Sequence, residues 1–181
     1  MGRVTCHDDF INTNGDVIVR CLADGTWETE GNCLQRVWRN PPLSVFPVAV
    51  PLPVGPGLSV CMEGTPTAPT SFTVDLLTGS GDIALHADFR FNFSGTTNAY
   101  YLDYRLNGSY TGGQEFRPFF FTVGVPFSLM IYTTATKFRI SVGNIVYAWY
   151  PHHAKLPPAD VKAVDITNGV NVTRLDVLCN N

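Results

Sequence analysis

Gly81-Asp82-Ile83-Ala84-Leu85-His86-Ala87-Asp88-Phe89-Arg90 decides the fold. Side chains of an extended strand alternate between two faces, so His86, Asp88 and Arg90 project to one side. Ile83, Leu85 and Phe89 take the other, where Ala87 is too small to interrupt the apolar set. About one hairpin later, Glu115 and Arg117 of Glu115-Phe116-Arg117 share a face by the same spacing. Imidazole, carboxylate and guanidinium on the exposed side of one sheet form a polar platform suited to a hydroxyl-rich ligand.

Outward from this stretch the same period repeats. Leu58–Met62, Ser71–Leu77, Ile83–Phe93, Ala99–Leu106, Phe116–Thr122 and Phe127–Thr133 read as strands, followed by Lys137–Val142, Ile145–Tyr150, Val161–Ile166 and Asn171–Leu178. Clusters of Gly, Asn, Asp and Pro separate them at the short spacing of an antiparallel β-sandwich. No amphipathic helix and no long-period repeat interrupts the pattern. Residues 35–56 read as a connector: Pro41-Pro42 and the later alternating prolines exclude a helix or a central strand. They predict an extended segment packed through Val45, Phe46, Val48 and Val50.

The 181 residues carry a net charge of -3, and 45% are hydrophobic, enough for one sandwich domain and a small appendage. Only 15% are charged, without a basic patch, which argues against nucleic acid as a partner. Pro47, Pro51, Pro53 and Pro56 break the longest apolar stretch, so no membrane span is expected. Met1-Gly2 is not followed by a signal-peptide pattern, which suggests a piece of something longer. Five cysteines and the sequons at Asn92, Asn107 and Asn171 point to a secreted or extracellular glycoprotein.

Cys6, Cys21 and Cys33 frame the turn dipeptides Asn14-Gly15 and Asp24-Gly25, and Val17 to Cys21 has strand alternation. So small a segment needs disulfides to replace a core. The run from Cys21 through Trp27 to Cys33 resembles the last third of a sushi (complement control) repeat. Such repeats pair cysteines first to third and second to fourth, and the first is missing here. The resemblance implies a Cys6–Cys33 bridge with Cys21 lacking its partner; a generic cystine loop is the other reading. The domain division is then a half-repeat over 1–34, a connector over 35–56 and the sandwich over 57–181.

From Leu58 to Leu178 the chain resembles the galectin carbohydrate-recognition domain. The framing segments include Ser71-Phe72-Thr73-Val74-Asp75-Leu76, Phe116-Arg117-Pro118-Phe119 and Gly124-Val125-Pro126-Phe127-Ser128-Leu129-Met130-Ile131. The resemblance implies an all-β, jelly-roll-type sandwich that recognises β-galactosides without a cofactor. The family pattern His-x-Asn-x-Arg becomes His86-Ala87-Asp88-Phe89-Arg90, and Asp103 replaces an Asn on the next strand. In Trp-x-x-Glu-x-Arg, Glu115 and Arg117 fit, but Gly112 stands at the Trp position, leaving Tyr110 as the nearest aromatic. Ionised Asp only accepts hydrogen bonds, whereas an Asn amide also donates.

The carbohydrate-binding set implied is His86, Asp88, Arg90, Asp103, Tyr110, Glu115 and Arg117. His86 and Arg90 donate to the sugar, Asp88 accepts, Asp103 and Glu115 orient the arginines, Arg117 donates from the far strand and Tyr110 stacks. The resemblance also brings the terminal strands close, implying a Cys61–Cys179 bridge worth about 4 kcal/mol by loop entropy.

The same charged residues are open to a plainer reading, a cross-strand salt-bridge ladder of little energetic weight. Tyr100, Tyr101, Tyr104 and Tyr110 are as consistent with sheet packing as with a contact surface. His152-His153 and an Asp88–Asp103 calcium site are weak metal signals, since neither has the ligand spacing a metal needs. No nucleophile–base pair or phosphate loop suggests an enzyme. Two functions follow: glycan or glycoprotein recognition and, with the Trp missing, a galectin-fold adhesion module binding a protein receptor.

Overall fold

Ser71–Thr78 shows how the strands arise: Phe72, Val74 and Leu76 are fully buried, while Ser71, Thr73 and Asp75 take the opposite face. The computed structural model describes residues 2–4, 6–12, 17–23, 25, 27–30, 33–52 and 54–179, with the backbone alone given for 2–4, 17–21 and 27–30. In chain order the strands are β1 (Gly2–Val4), β2 (Phe10–Asn12), β3 (Val17–Cys21), β4 (Trp27–Glu30), β5 (Cys33–Gln35), β6 (Val37–Arg39) and β7 (Val48–Ala49). Then come β8 (Ser59–Pro66), β9 (Ser71–Thr78), β10 (Ile83–Phe93), β11 (Thr96–Leu106), β12 (Ser109–Tyr110) and β13 (Gln114–Phe116). The last are β14 (Phe127–Thr133), β15 (Lys137–Val142), β16 (Ile145–Pro151), β17 (Val161–Thr167) and β18 (Val170–Val177).

Two antiparallel sheets form the sandwich. One runs β12-β11-β10-β9-β17-β7, with β13 also against β11; the other runs β16-β15-β14-β8-β18-β6. Among the described residues the only helical turns are two short 3-10 segments, Leu43–Val45 and Pro158–Asp160. The core lies between the sheets, with Phe72, Leu85, Phe89, Tyr100 and Leu102 facing Val60, Met62, Leu129, Ile131, Phe138 and Ile140. Each such apolar side chain contributes about 1.5–3 kcal/mol by leaving water. In β18 a bulge between Val172 and Arg174 keeps Val170 and Val172 inside and then returns Leu175 and Val177 to the same side. The β11–β12 hairpin turns on Asn107 and Gly108, both at positive φ (51° and 77°), the type I′ geometry that suits strand twist.

Three segments differ from the sequence expectation. A strand was predicted over Phe116–Thr122, but β13 ends at Phe116 and 117–126 pairs with no sheet. Pro118 has no N–H to donate, and Phe119, Phe120 and Phe121 all turn inward, where a strand would turn alternate rings outward. Phe119 packs edge-on to Phe91 (4.9 Å), Phe120 on Tyr147 (4.2 Å) and Phe121 edge-on to Phe89 (4.9 Å). The connector is more than a spacer: β6 pairs with β18 and β7 with β17, adding an edge strand to each sheet. Within it, Val48 is buried as expected, whereas Val45 is exposed. In the N-terminal segment, β1, β3 and β4 form one small sheet and β2 with β5 another. Asn14-Gly15 and Asp24 lie outside the described residues, as do the side chains of Cys21 and Trp27.

Cys6 is bridged to Cys33 and Cys61 to Cys179, with Cα atoms 5.6 and 6.1 Å apart. The second closes a span of 118 residues, for which loop entropy gives roughly 4–5 kcal/mol.

Phe72 sits where the aromatic cluster converges, against Phe89 (4.8 Å), Phe121 (5.2 Å) and Phe127 (5.5 Å). Phe72→Ala should destabilise the domain by about 3–5 kcal/mol, read as a lower denaturant midpoint with an unchanged slope.

Candidate functional site

The outer face of the first sheet is ordered in rows by strand register. Asp165, Asp75, His86 and Asp103 are successive neighbours across β17, β9, β10 and β11. One row along, Thr167, Thr73, Asp88, Tyr101 and Glu115 follow across β17, β9, β10, β11 and β13. Neighbouring strands lie about 4.8 Å apart, so side chains within a row are in hydrogen-bonding reach.

His86 Nδ1 donates to Asp75 Oδ1 at 2.7 Å, which leaves Nε2 as the free edge of the ring. Arg90 Nε donates to Asp88 Oδ2 at 2.6 Å, and its guanidinium lies 4.1 Å from the centre of the Tyr101 ring. The second carboxylate oxygen of Asp88 is buried and has no partner among the described residues. The Tyr101 hydroxyl donates to Glu115 Oε2, and Arg117 Nε donates to Glu115 Oε1 at 2.8 Å. Arg117 also donates to the carbonyls of Thr97 and Asn98.

Asp103 does not orient an arginine, as the sequence had suggested. It accepts from Thr111 Oγ1 and from the backbone N–H groups of Tyr104 (2.8 Å) and Gly112 (3.2 Å). Asp103 therefore ties down the 111–113 loop. Gly113 comes so close that a Cβ there would lie 3.2 Å from the Asp103 Cβ, at a φ of +62° that disfavours other residues. Tyr110 of β12, paired opposite Arg105 just before this loop, lies against His86 with ring centres 4.9 Å apart.

His86, Asp88, Arg90, Asp103 and Tyr110 thus line one pocket of about 390 Å³. Glu115 and Arg117 do not line it; they sit beyond Tyr101, more exposed. Sequence reading missed Ser71, Thr73, Phe93 and Asn168 as pocket residues, Tyr101 as its wall and Asp75 as the partner of His86. The parity of Ser71, Thr73 and Asp75, opposite Phe72, Val74 and Leu76, carried that information. The His152-His153 pair is structural: His152 packs edge-on to Phe138 and His153 stacks on Tyr104. Among the described residues no group of His, Cys, Asp or Glu is placed to hold a metal ion.

The family model for galactoside-binding lectins matches residues 45–177. The chain belongs to the galectin family. Members of that family are lectins, not enzymes, and this is a carbohydrate-binding domain of that type. Galectin-8 of Rattus norvegicus is 35% identical over 119 residues, which span 62% of this chain and 35% of the rat protein's length. The fold is shared with solved galectins. Caenorhabditis elegans galectin LEC-6 aligns with a TM-score of 0.66 at 22% identity, covering 78% of this chain and 95% of the worm protein. A human galectin-16 variant aligns with a TM-score of 0.64, also at 22% identity, covering 75% of this chain and 96% of the human one.

Three buried carboxylates, Asp75, Asp88 and Asp103, surround His86 on this face, and the charge balance is visible in the histidine. Burial by itself pushes the His86 pKa down; the Asp75 hydrogen bond and the charges of Asp75, Asp88 and Asp103 outweigh it and raise the value above 6.5. Glu115 is held below the ordinary carboxylate value, first by the Tyr101 hydroxyl and then by Arg117. Asp165 is pushed up by burial and then by the neighbouring Asp75 charge.

A folded-state pKa raised above the unfolded one stabilises the protein fully below pH 6.5, and that contribution fades as pH rises through the folded pKa. Asp75→Asn should bring the His86 pKa down in an NMR titration of the ring. The stability gap between wild type and variant should then narrow as pH increases past the wild-type value.

Proposed function

We propose that this galectin domain binds β-galactoside-like glycans outside the cell, through the pocket on the outer face of its first sheet. The convergence of His86, Asp88, Arg90 and Tyr110 on that one pocket carries the reading. In this reading the outer edge of His86 and the guanidinium of Arg90 meet sugar hydroxyls, and the free oxygen of Asp88 accepts one. The ring of Tyr110, 48% exposed, offers an apolar face to the sugar's C–H groups. Glu115 and Arg117 extend the platform beyond Tyr101 for a longer glycan. An open site of this kind should hold a simple sugar near millimolar, about -4 kcal/mol, and gain strength through several copies.

Two disulfides and exposed sequon asparagines at 92, 107 and 171 support an oxidising, secretory setting. We read 1–34 as half of a sushi repeat, 35–56 as a connector that lends an edge strand to each sheet, and 57–181 as the rest of the sandwich, within a larger extracellular glycoprotein. A second reading, an adhesion or receptor-binding module that has lost sugar binding, is favoured by Gly112, which puts no aromatic ring at its position.

A glycan array with lactose competition separates the two. Lactose-competed signal is expected, with Arg90→Ala weakening it at least tenfold and Tyr110→Ala about fivefold, or about 1 kcal/mol. A silent array from correctly folded protein would leave the protein-contact reading.

A further inference from the structure

We propose that Asp88 sets the specificity of this pocket, making it select glycans that offer a hydrogen-bond donor, above all an ammonium group, and reject anionic ones. The inference rests on the pocket being a sugar site, as proposed above.

Asp88 is 4% exposed, lies in the middle of β10 and lines the pocket. One oxygen takes the Arg90 Nε–H at 2.6 Å; the other is buried without a partner among the described residues. Burying an ionised oxygen without a donor is costly, and a ligand donor placed there would remove the cost. Hydroxyl and ammonium groups supply that donor, whereas sulfate and carboxylate oxygens only accept and would face it with like charge.

The surroundings lean the same way. Asp75 and Asp103 are also buried and flank His86 on either side, and Asp165 adjoins Asp75. Arg90 is paired with Asp88 and lies over Tyr101, while Arg105 donates to the Gly81 carbonyl. Arg90 is therefore opposed by a carboxylate, and Arg105 does not line the pocket. Among side chains this little exposed, such a field is screened less than on open surface.

Calorimetric titration of the full chain would compare N-acetyllactosamine, the same sugar sulfated on galactose, and a galactosamine-terminated disaccharide with a free amine. The amine should bind at least tenfold more tightly than the sulfated sugar, with the neutral sugar between them and the spread shrinking in high salt. Asp88→Asn, which keeps the size and adds a donor, should compress the spread to within threefold. Equal affinities in the native protein, or a ranking unchanged by Asp88→Asn in a folded variant, would overturn the inference while leaving a sugar site. The native ranking decides the matter if the variant does not fold. Binding of none of the three would remove the sugar reading and the inference with it.

Discussion

Strand β10 has to satisfy two environments at once. Leu85, Ala87 and Phe89 are fully buried between the sheets, and His86, Asp88 and Arg90 occupy the opposite face of the same backbone. Because the side-chain period is two, a slip of one residue would carry Phe89 to the outer face and Asp88 into the core. The apolar set opposes that slip with several kcal/mol per large side chain. The burial of Phe89 is thus what holds His86 in register with Asp75 and Asp103, and Asp88 in register with Thr73 and Tyr101.

With register fixed, the outer face becomes a problem in charge compensation. Asp75, Asp88 and Asp103 are all nearly inaccessible, and each is met differently. Asp75 takes the His86 N–H, Asp103 takes a hydroxyl and two backbone donors, and Asp88 takes a single guanidinium nitrogen on one oxygen only. Asp103 is structurally engaged: its bonds hold Thr111 and Gly112, the residues directly after Tyr110. Asp88 is engaged on one side only, so it is the carboxylate with capacity for a further partner.

Much of this was legible in the sequence because period-two alternation survives wherever one face is buried. The strands at Ile83–Phe93, Phe127–Thr133 and Lys137–Val142 have the ends expected from alternation and turn residues. The stretch 117–126 misled because consecutive phenylalanines satisfy strand propensity, and only the packed structure reveals that three neighbouring rings point the same way. The edge strands β6 and β7 are too short to carry a period. Five of the seven predicted site residues share the pocket because three lie on β10 itself, Asp103 on the adjoining β11 and Tyr110 on β12 beyond it. Asp75 went unnoticed because parity gives only its face: the register of the β9–β10 hairpin, shifted between Ile83 and Leu85, is what sets it opposite His86, 11 residues on.

The position of Glu115 and Arg117 follows from the same row geometry. Tyr101 stands between Asp88 and Glu115 in the row, its ring under Arg90 and its hydroxyl on Glu115. A ring in that place divides the face into an inner pocket and an outer, more exposed pair. The inner carboxylates are nearly inaccessible, so each unpaired atom there counts; the outer Glu115–Arg117 pair is exposed and contributes little by itself. In the proposed sugar reading, discrimination between ligands therefore belongs to the inner residues, and the outer pair would bear on how far along the sheet a longer glycan is followed.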